Sequence, residues 1–408
     1  MDVMHQRCAG LAVHKDEVVA CARVVAQGRV TRTAARFPTT TRGLLALSDW
    51  LTAQRIPIAV LEATGVYWKP VWHILEASVE LVLANAAHVR AVPGRKTDMN
   101  DATWLADLLA HGLIRGSFVP PAPIQALRDL TRTRKQLVRQ VAQHTQRLQK
   151  TLEDANIKIT GLVSDLLGVS GRALLTGLIA GETDPDQLLA RTTGKLRAEP
   201  ARLRDALQGR VTAHHRFLLQ LHLDQIRALE AGIQTIDARL QTLVAPFRPL
   251  IEHLCTMPGV STVVAQTLLA ELGTDMARFP TSAHVVSWAG LCPRLDESAG
   301  KRRSTRVRHG APWLKTVMVQ AAWAAVRRRD SYPRAQFHRL KARRGPKKAL
   351  VAVAASLLTV AYVLLRDQVD YRDLGPHHVD ALDKGRAARR LTRRLEALGF
   401  TVTLNDAA

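Results

Sequence analysis

The sequence predicts an α/β N-terminal domain, a long helical coiled-coil linker and a mostly α-helical C-terminal domain. Short apolar runs of strand length alternate with helical patterns up to residue 111. Leucine and isoleucine then recur at steps of three and four residues over 120–160 and 211–245. Beyond residue 251, apolar helical patterns are separated by glycine-containing turns. The predicted domains are 1–120, 121–250 and 251–370, followed by a charged tail at 371–408.

The N-terminal domain begins with three apolar runs joined by short turns, which predict an antiparallel meander. Alternating helices and strands follow it. The predicted strands are 8–14, 18–25, 29–33, 57–61 and 79–83. The predicted helices are 40–53, 66–76 and 98–111. Three strands followed by helix, strand, helix, strand and helix is the order of the RNase H-like fold, so we predict that fold for this domain.

Acidic residues stand at two places where nucleases of this fold carry carboxylates. Glu62 ends the fourth strand, and Asp98 and Asp101 open the last helix. Residues three apart on a helix are neighbours, so both aspartates can point at one spot. Ordinary roles remain open, since Asp favours a first helical turn and a strand-end Glu can simply be exposed. Facing carboxylates are also what Mg²⁺ requires, together with substrate phosphates.

The two long helical patterns predict either an antiparallel hairpin within one chain or pairing with another subunit. Their apolar stripes are expected to pack against each other, and their function would be spacing and oligomerisation. Residues 161–210 are Gly-rich with scattered leucines and predict an irregular helical insertion.

Two segments of the C-terminal domain are candidates for contact with phosphate. Gly259 lies in a turn between two helices, which suggests a helix-hairpin-helix whose backbone N–H groups bind phosphate; a plain connection within a core is the alternative. Ser298 lies in a basic loop of small residues. It is either a turn serine, which composition alone favours, or a nucleophile whose oxyanion is held by guanidinium groups. A helix at 313–328, a basic connector and an apolar helix at 349–365 follow.

The net charge of +23 predicts a polyanionic partner, because neutralising phosphates releases counterions. Residues 301–348 alone contain sixteen Lys and Arg and one acid, Asp330. The four cysteines form no CxxC pair, which disfavours a zinc site or a disulfide framework. The N-terminus lacks a secretory pattern. The apolar run at 349–365 is short for a bilayer span, so we predict a buried core helix, no membrane association and a cytoplasmic protein.

Four long segments carry a resemblance to a known family. They read VLEATGVYWKPVW, PGRKTDMNDATWLADLLAHGLI, MPGV and SWAGLCPRLDESAGKRRSTRVRHGAPWLK, in this order. Nearly the whole chain resembles the DEDD-type insertion-sequence transposases of family one-ten, the bridge-RNA-guided DNA recombinases. The resemblance implies an RNase H-like domain with an Asp-Glu-Asp-Asp tetrad, a coiled coil, and a C-terminal domain whose serine attacks DNA to form a phosphoserine intermediate.

Carried over by position, the resemblance implies a Mg²⁺ site at Glu62, Asp98 and Asp101, with Ser298 as the nucleophile. It implies donor and target double-stranded DNA and a structured guide RNA as partners, and a dimer or tetramer formed through the coiled coil. The protein would be bacterial and nucleoid-associated when bound. The residues that we expect to bind nucleic acid are Arg95, Lys96, Gly259, Lys301, Arg302, Arg303, Arg306 and Arg308.

One position departs from the family pattern. The first aspartate of the tetrad lies in a strand motif of the type G-(I/L)-D-V-H-K, and this chain has Ala12 at that position. By natural loss or by deliberate substitution, the site lacks one carboxylate, so we expect the chain to bind nucleic acid but to cleave it poorly. Two other functions stay open: a metal-dependent, junction-resolvase-like nuclease without serine chemistry, and a non-catalytic nucleic-acid-binding protein.

Overall fold

The computed structural model describes residues 3–63, 65–85, 98–114, 116–193, 198–294, 297–304, 306–307 and 310–404, without the side chains of Asp98, Met99, Ser298 and Arg302. The chain divides into two compact units, Met1–Pro120 and Pro121–Ala408. The first is an α/β unit, and the second is mostly helical.

The first unit is built on a five-stranded sheet in the order β3-β2-β1-β4-β5. Its strands are β1 (Arg7–Val13), β2 (Glu17–Ala26), β3 (Arg29–Pro38), β4 (Ile58–Glu62) and β5 (Glu80–Ala84). Its helices are α1 (Thr41–Ala53), α2 (Trp68–Leu75) and α3 (Asp98–Ala110). The first three strands are antiparallel, and β4 and β5 run parallel to β1. The predicted order of elements is therefore observed.

Strand β3 continues to Pro38, five residues beyond its predicted end. It is an edge strand whose side chains are mostly exposed, so it has no apolar run to mark its length. Pairing with β2 along the whole strand, from Arg29 opposite Ala26 to Pro38 opposite Glu17, decides its extent.

The two faces of this sheet pack against different helices, as the alternation of side chains along a strand requires. Odd-numbered residues of β1 and β4, such as Leu11 and Leu61, join a core with residues of α1 and α2. Even-numbered residues, such as Cys8 and Val60, pack with Leu105 of α3. In β1 and β4, odd-numbered side chains thus face α1 and α2, and even-numbered side chains face α3.

The second unit contains two long helices, α4 (Ala122–Asp154) and α8 (Ala213–Leu243). They pack antiparallel within the one chain, because Arg134 binds Asp237 while Asp154 contacts His215 at the other end. Of the two predicted arrangements, the chain adopts the hairpin. A side-chain and backbone capping box at Thr212 begins α8.

The segment predicted as irregular is regular over much of its length. It contains α5 (Val169–Ala180), α6 (Pro185–Ala190) and α7 (Pro200–Leu207). Their buried leucines form a separate core with Leu148 of α4 and Leu219 of α8. Because these helices are short and broken by Gly and Pro, no long period appears in the sequence.

The rest of the second unit is a helical core at the other end of the long pair. Its helices are α9 (Arg248–Cys255), α10 (Thr262–Leu272), α11 (Ser282–Trp288), α12 (Pro312–Ala325), α13 (Tyr332–Arg344) and α14 (Pro346–Asp367). The prediction of a basic connector before α14 was wrong, because this segment forms α13. Its many Arg and Lys residues leave no apolar pattern by which the helix could be recognised in the sequence. The helix has Pro333 in its first turn, and it buries Phe337.

Helix α14 is, among the described residues, the one helix long and apolar enough to cross a membrane. It lies in this core, where Val353, Leu358 and Ala361 are fully buried. The chain continues with α15 (His378–Leu382) and α16 (Lys384–Glu396). The start of the predicted tail packs onto the unit, since the backbone N–H of Tyr371 donates to Thr256 Oγ1 at 2.9 Å.

Candidate active site

Helix α3 lies directly on strand β1, and Gly10 makes this contact possible. A Cβ atom at Gly10 would lie 2.0 Å from the carbonyl oxygen of Ala102 and 2.6 Å from the backbone nitrogen of Ala106. Toward the amino end of β1, the thiol of Cys8 is 3.4 Å from the carbonyl oxygen of Ala106. Still earlier in the chain, the backbone N–H of Met4 donates to the carbonyl oxygen of Ala110. Helix α3 therefore runs opposite to β1, with its first turn at the carboxyl end of the strand.

Ala12 and Glu62 occupy equivalent positions at the carboxyl ends of neighbouring parallel strands. Leu11 of β1 is paired with Leu61 of β4, and each of the two residues is the next one along its strand. Both have the even parity of the sheet face that carries α3. Ala12 is buried in a small cluster with Val19, Cys21 and Ala102. Position 12 and Glu62 thus lie side by side under the helix.

The first turn of α3 completes this end of the sheet. Asp98 begins the helix, and Asp101, which is half-buried, directly precedes the Ala102 that packs on Ala12. The structure therefore brings Ala12, Glu62 and the first turn of α3 to one end of the sheet. The spacing in the sequence predicted only that Asp98 and Asp101 are neighbours. The packing of α3 on β1 shows that Glu62 and position 12 lie at the same end of the sheet as these two residues.

An anchoring network on α3 was not found from the sequence. The Arg23 guanidinium, which is buried, donates to Asp107 at 2.9 Å, and Arg32 donates to the same carboxylate at 2.9 and 3.1 Å. An Arg in the middle of a buried apolar strand was the available indication, because a buried charge requires a partner. The network fixes α3 along the β2 and β3 side of the sheet.

Two buried thiols, those of Cys8 and Cys21, lie on the sheet face that carries α3. Burial raises the pKa of Cys8 to about 11 and also raises the pKa of Cys21, which favours the protonated form of both thiols at neutral pH. No group of three or more His, Cys, Asp or Glu side chains that could hold a metal ion occurs among the described residues, which do not include the Asp98 side chain. Carboxylate oxygen is the ligand type that Mg²⁺ prefers.

Ser298 lies at the tip of a β-hairpin in the second unit. Strands β6 (Glu297–Ser298) and β7 (Lys301–Arg302) pair, with Ser298 opposite Lys301. The two turn residues between them both have positive φ, +50° at Ala299 and +73° at Gly300, as a two-residue hairpin turn of type I′ requires. A bridge between Pro293 and Val307 pairs the base of the hairpin.

Ala299 holds a left-handed backbone conformation that residues other than glycine rarely adopt, at a cost of about 1–2 kcal/mol. The turn of the β2–β3 hairpin has the same conformation, with φ of +50° at Gln27 and +75° at Gly28, so the strain belongs to this type of turn. The basic residues Lys301, Arg303 and Arg306 of this hairpin are exposed. Arg95, Lys96 and Arg308 lie outside the described residues.

Gly259 is explained by packing. It has a φ of +80°, and a Cβ atom would lie 2.2 Å from the carbonyl oxygen of Ala321 and 2.6 Å from the backbone nitrogen of Ala325, both on α12. The turn also contains a bond from the Val260 N–H to the carbonyl oxygen of Met257. Close approach of this turn to α12 is enough to require glycine here, and a phosphate contact remains a prediction.

Comparisons with known proteins match both units. Residues 9–157 match the family DEDD_Tnp_IS110, described as a transposase, and residues 251–339 match Transposase_20, described as the transposase IS116/IS110/IS902 family. The first match contains Ala12, Glu62, Asp98 and Asp101, and the second contains Ser298. The chain carries IS110-family transposase domains in both regions.

Curated relatives agree with these matches. A probable family 20 transposase of Pseudomonas aeruginosa is 26% identical over 322 residues, which cover 77% of this chain and 86% of the relative. An uncharacterized 43.6 kDa protein of insertion element IS110 from Streptomyces coelicolor is 34% identical over 159 residues, 38% of this chain and 37% of the relative. An uncharacterized 42 kDa protein of insertion element IS900 from Mycobacterium paratuberculosis is 27% identical over 338 residues, 72% of this chain and 80% of the relative.

Proposed function

We propose that this chain, with its two IS110-family transposase domains, is the transposase of an insertion sequence that recombines DNA under the guidance of a structured RNA. The observation that carries the proposal is the convergence of Glu62, the first turn of α3 and position 12 at one end of a sheet with parallel β1 and β4. The strand order and directions support assigning this unit to the RNase H-like fold. The protein would act in the bacterial cytoplasm, at the nucleoid when bound.

The acidic end of the sheet would hold Mg²⁺ through Glu62, Asp98 and Asp101. A bound divalent ion supplies charge neutralisation at a phosphodiester and orients its oxygens. The chain's own part is to keep these carboxylates together: Gly10 admits α3 to the sheet, and Arg23 with Asp107 fixes the helix. With Ala12 in place of an aspartate, the site has one ligand fewer, so we expect weak metal binding and slow cleavage.

Ser298 is proposed as the nucleophile. Its Oγ forms a bond to the phosphorus, the bond from that phosphorus to a deoxyribose oxygen breaks, and the hydroxyl proton passes to the leaving oxygen. Attack by the hydroxyl of the exchanged strand reverses these changes and rejoins the DNA. The position supports this role, because Ser298 lies at the tip of the hairpin and exposed Lys301, Arg303 and Arg306 can hold the phosphate oxygens.

Donor DNA, target DNA and the guide RNA are proposed as ligands of the basic surface, and the α4–α8 pair is proposed as the coiled coil through which copies assemble. The excess of basic residues supports a polyanionic partner. Sequencing the RNA that co-purifies with the protein identifies the guide. A heterogeneous mixture without an element-encoded species would contradict the guided mechanism.

The catalytic proposal is tested by restoring the missing carboxylate with Ala12→Asp. Cleavage of supercoiled plasmid carrying the element ends, with co-purified RNA and Mg²⁺, should rise at least tenfold, since even an outer-shell partner of a metal site contributes about 10–100-fold. In this background, Ser298→Ala should abolish the covalent protein–DNA adduct seen on denaturing gels, whereas Ser304→Ala, a serine of the same hairpin, should retain it.

Two other outcomes identify other functions. Restored cleavage without an adduct in any variant would indicate a metal-dependent nuclease in which Ser298 is structural. Absence of cleavage and strand transfer after Ala12→Asp, with RNA still bound, would indicate a non-catalytic nucleic-acid-binding protein, the candidate that Ala12 itself favours.

A further inference from the structure

A small cationic pocket lies in the second unit, between α4, α10 and α12. It has a volume of about 100 Å³, and its lining includes Lys135 and Arg139 of α4, Trp313 and Gln320 of α12, and Val263 of α10. We call it the α4 pocket. Its lining, within the part of the chain that the structure describes, includes four basic side chains and no Asp or Glu. The serine hairpin contributes none of these residues.

Two of the four cations are neutralised by the protein. Arg132 makes a bidentate ion pair with buried Glu271 at 2.8 and 2.9 Å. Arg134 makes another with Asp237 at 2.6 and 3.0 Å. These pairs connect α4 to α10 and α8, so they have a structural purpose that accounts for them.

The other two cations have no carboxylate partner among the described residues. The Lys135 ammonium donates to the neutral amide oxygen of Gln320 at 3.3 Å. The Arg139 guanidinium lies over the Trp313 ring, 5.1 Å from its centroid. Two uncompensated positive charges therefore stand one helical turn apart beside the same cavity.

This arrangement is unfavourable without an anion. Like charges at i and i+4 on a helix repel each other. Burial, together with the positive charges of Arg139 and Arg134, lowers the pKa of Lys135. The contacts of Trp313 and Gln320 hold both cations in place despite the repulsion. An anion in the cavity would remove this cost.

The size of the pocket restricts the anion. Sites for drug-sized ligands and cofactors occupy about 300–1,000 Å³, so the α4 pocket is too small for a nucleotide or a metabolite. A single phosphate group presents several oxygen acceptors to an ammonium and a guanidinium, the pairing that gives short, charge-assisted hydrogen bonds. Because Arg139 is exposed, a phosphate that belongs to a long chain can reach it from solvent.

We propose that the α4 pocket binds one backbone phosphate of a nucleic acid, through Lys135 and Arg139. It would be a docking point for the polymer on the long helix pair, separate from the reacting phosphate at the serine hairpin. That the polymer is nucleic acid rests on the proposed function; that the ligand group is a phosphate rests on the pocket itself.

The test compares Lys135→Gln/Arg139→Gln with the unaltered chain and with Lys150→Gln. Lys150 is exposed on the same helix and does not line the pocket. Binding of duplex DNA and of single-stranded RNA is measured by fluorescence anisotropy over a salt series. Loss of one phosphate contact should lower the slope of log K against log salt by about 0.9 for DNA or about 0.7 for RNA. The polymer whose slope falls is the one that occupies the pocket.

Lys150→Gln gives the change in slope caused by removing an exposed charge of this helix. The change in slope for Lys135→Gln/Arg139→Gln must be larger than this. Unchanged slopes for both polymers would overturn the proposal. Calorimetry measures the binding of inorganic phosphate to the same variants. If the pocket variant loses phosphate binding while both slopes stay unchanged, the pocket is a site for the free ion, and the proposal of a backbone phosphate is wrong.

Thermal melting distinguishes loss of a contact from loss of the fold. The substitutions remove the repulsion between the two charges and also their contacts with Gln320 and Trp313. Because these small energies oppose each other, the variant should melt close to the temperature of the unaltered chain. A large drop in melting temperature would show that the two cations serve the fold and would overturn the proposal. None of these measurements requires cleavage or adduct formation, so the inference and the catalytic proposal can fail separately.

Discussion

Gly10 determines how closely α3 approaches β1. Its Cα faces the backbone of Ala102 and Ala106, where a methyl group has no room. Any side chain would push the first turn of α3 away from the strand ends. Gly10 therefore supports the proposed site without taking part in its chemistry, and the resemblance to a strand motif does not explain why it must be glycine.

We expect Gly10→Ala to lower the free energy of unfolding of the first unit by about 1–3 kcal/mol, the usual cost of overpacking a core. In the Ala12→Asp background it should also lower cleavage, because Asp101 moves with the helix. Chemical denaturation and plasmid cleavage measure the two effects. Gly116→Ala is the control, since its Cβ would meet only Val82 at 3.5 Å, an ordinary contact. Equal stability of the two variants would show that α3 is not held against β1 at Gly10.

At the scale of elements, the long pair α4 and α8 contains a titratable contact. Nδ1 of His144 lies 3.3 Å from Nδ1 of His222, with the rings edge to face. Burial, then the neighbouring charges of His144 and Arg147, lowers the pKa of His222. The folded protein therefore favours the neutral ring, whereas the unfolded chain takes up a proton near pH 6.5.

This shift makes the helix pair sensitive to acid. The contribution of His222 to stability is complete above about pH 6.5 and decreases as pH falls, since the unfolded state then binds more protons. We expect the melting temperature to drop between pH 7.5 and 5.5, and to drop less in His222→Gln. His214→Gln, at an exposed position on the same helix, should keep the full dependence. The same pH dependence in both variants would exclude this contact as the cause.

At the scale of the whole molecule, positive charge is the dominant property. Beyond the basic segment 301–348, helix α16 carries six Arg and Lys and one acid, and none of its residues is buried. Such a surface binds phosphate chains through counterion release, which is independent of base sequence. Sequence recognition must therefore come from a different interaction, which in the proposed function is pairing by the guide RNA.

Binding of non-specific duplex DNA should consequently fall steeply with salt. If six or more phosphates are neutralised, affinity decreases by about a thousandfold or more between 50 and 200 mM salt. Anisotropy titrations measure this, and melting curves at both salt concentrations verify that the protein stays folded. A decrease of less than about tenfold would mean that few of these charges contact the phosphate backbone.

Much of the fold follows from local patterns. Apolar periodicity predicted the order of elements in the first unit and the two long helices, and the strand-end Glu62 was found at the end of β4. Elements without an apolar pattern were missed or shortened, as with α13 and the exposed second half of β3. Their extent depends on pairing and packing with residues distant in the sequence, and the apolar periodicity of a short segment contains no information about such residues.

The sequence by itself determined the acidic residues, the serine, the basic surface and the alanine at position 12, because residue identity and spacing are written along the chain. Only the tertiary structure decided that position 12, Glu62 and the first turn of α3 share one end and one face of the sheet. It also decided that Gly259 is needed for packing against α12, that Lys135 contacts Gln320, and that Arg139 contacts Trp313. These facts depend on contacts between residues about 50 to 180 positions apart, and such contacts form when buried surfaces pack closely together.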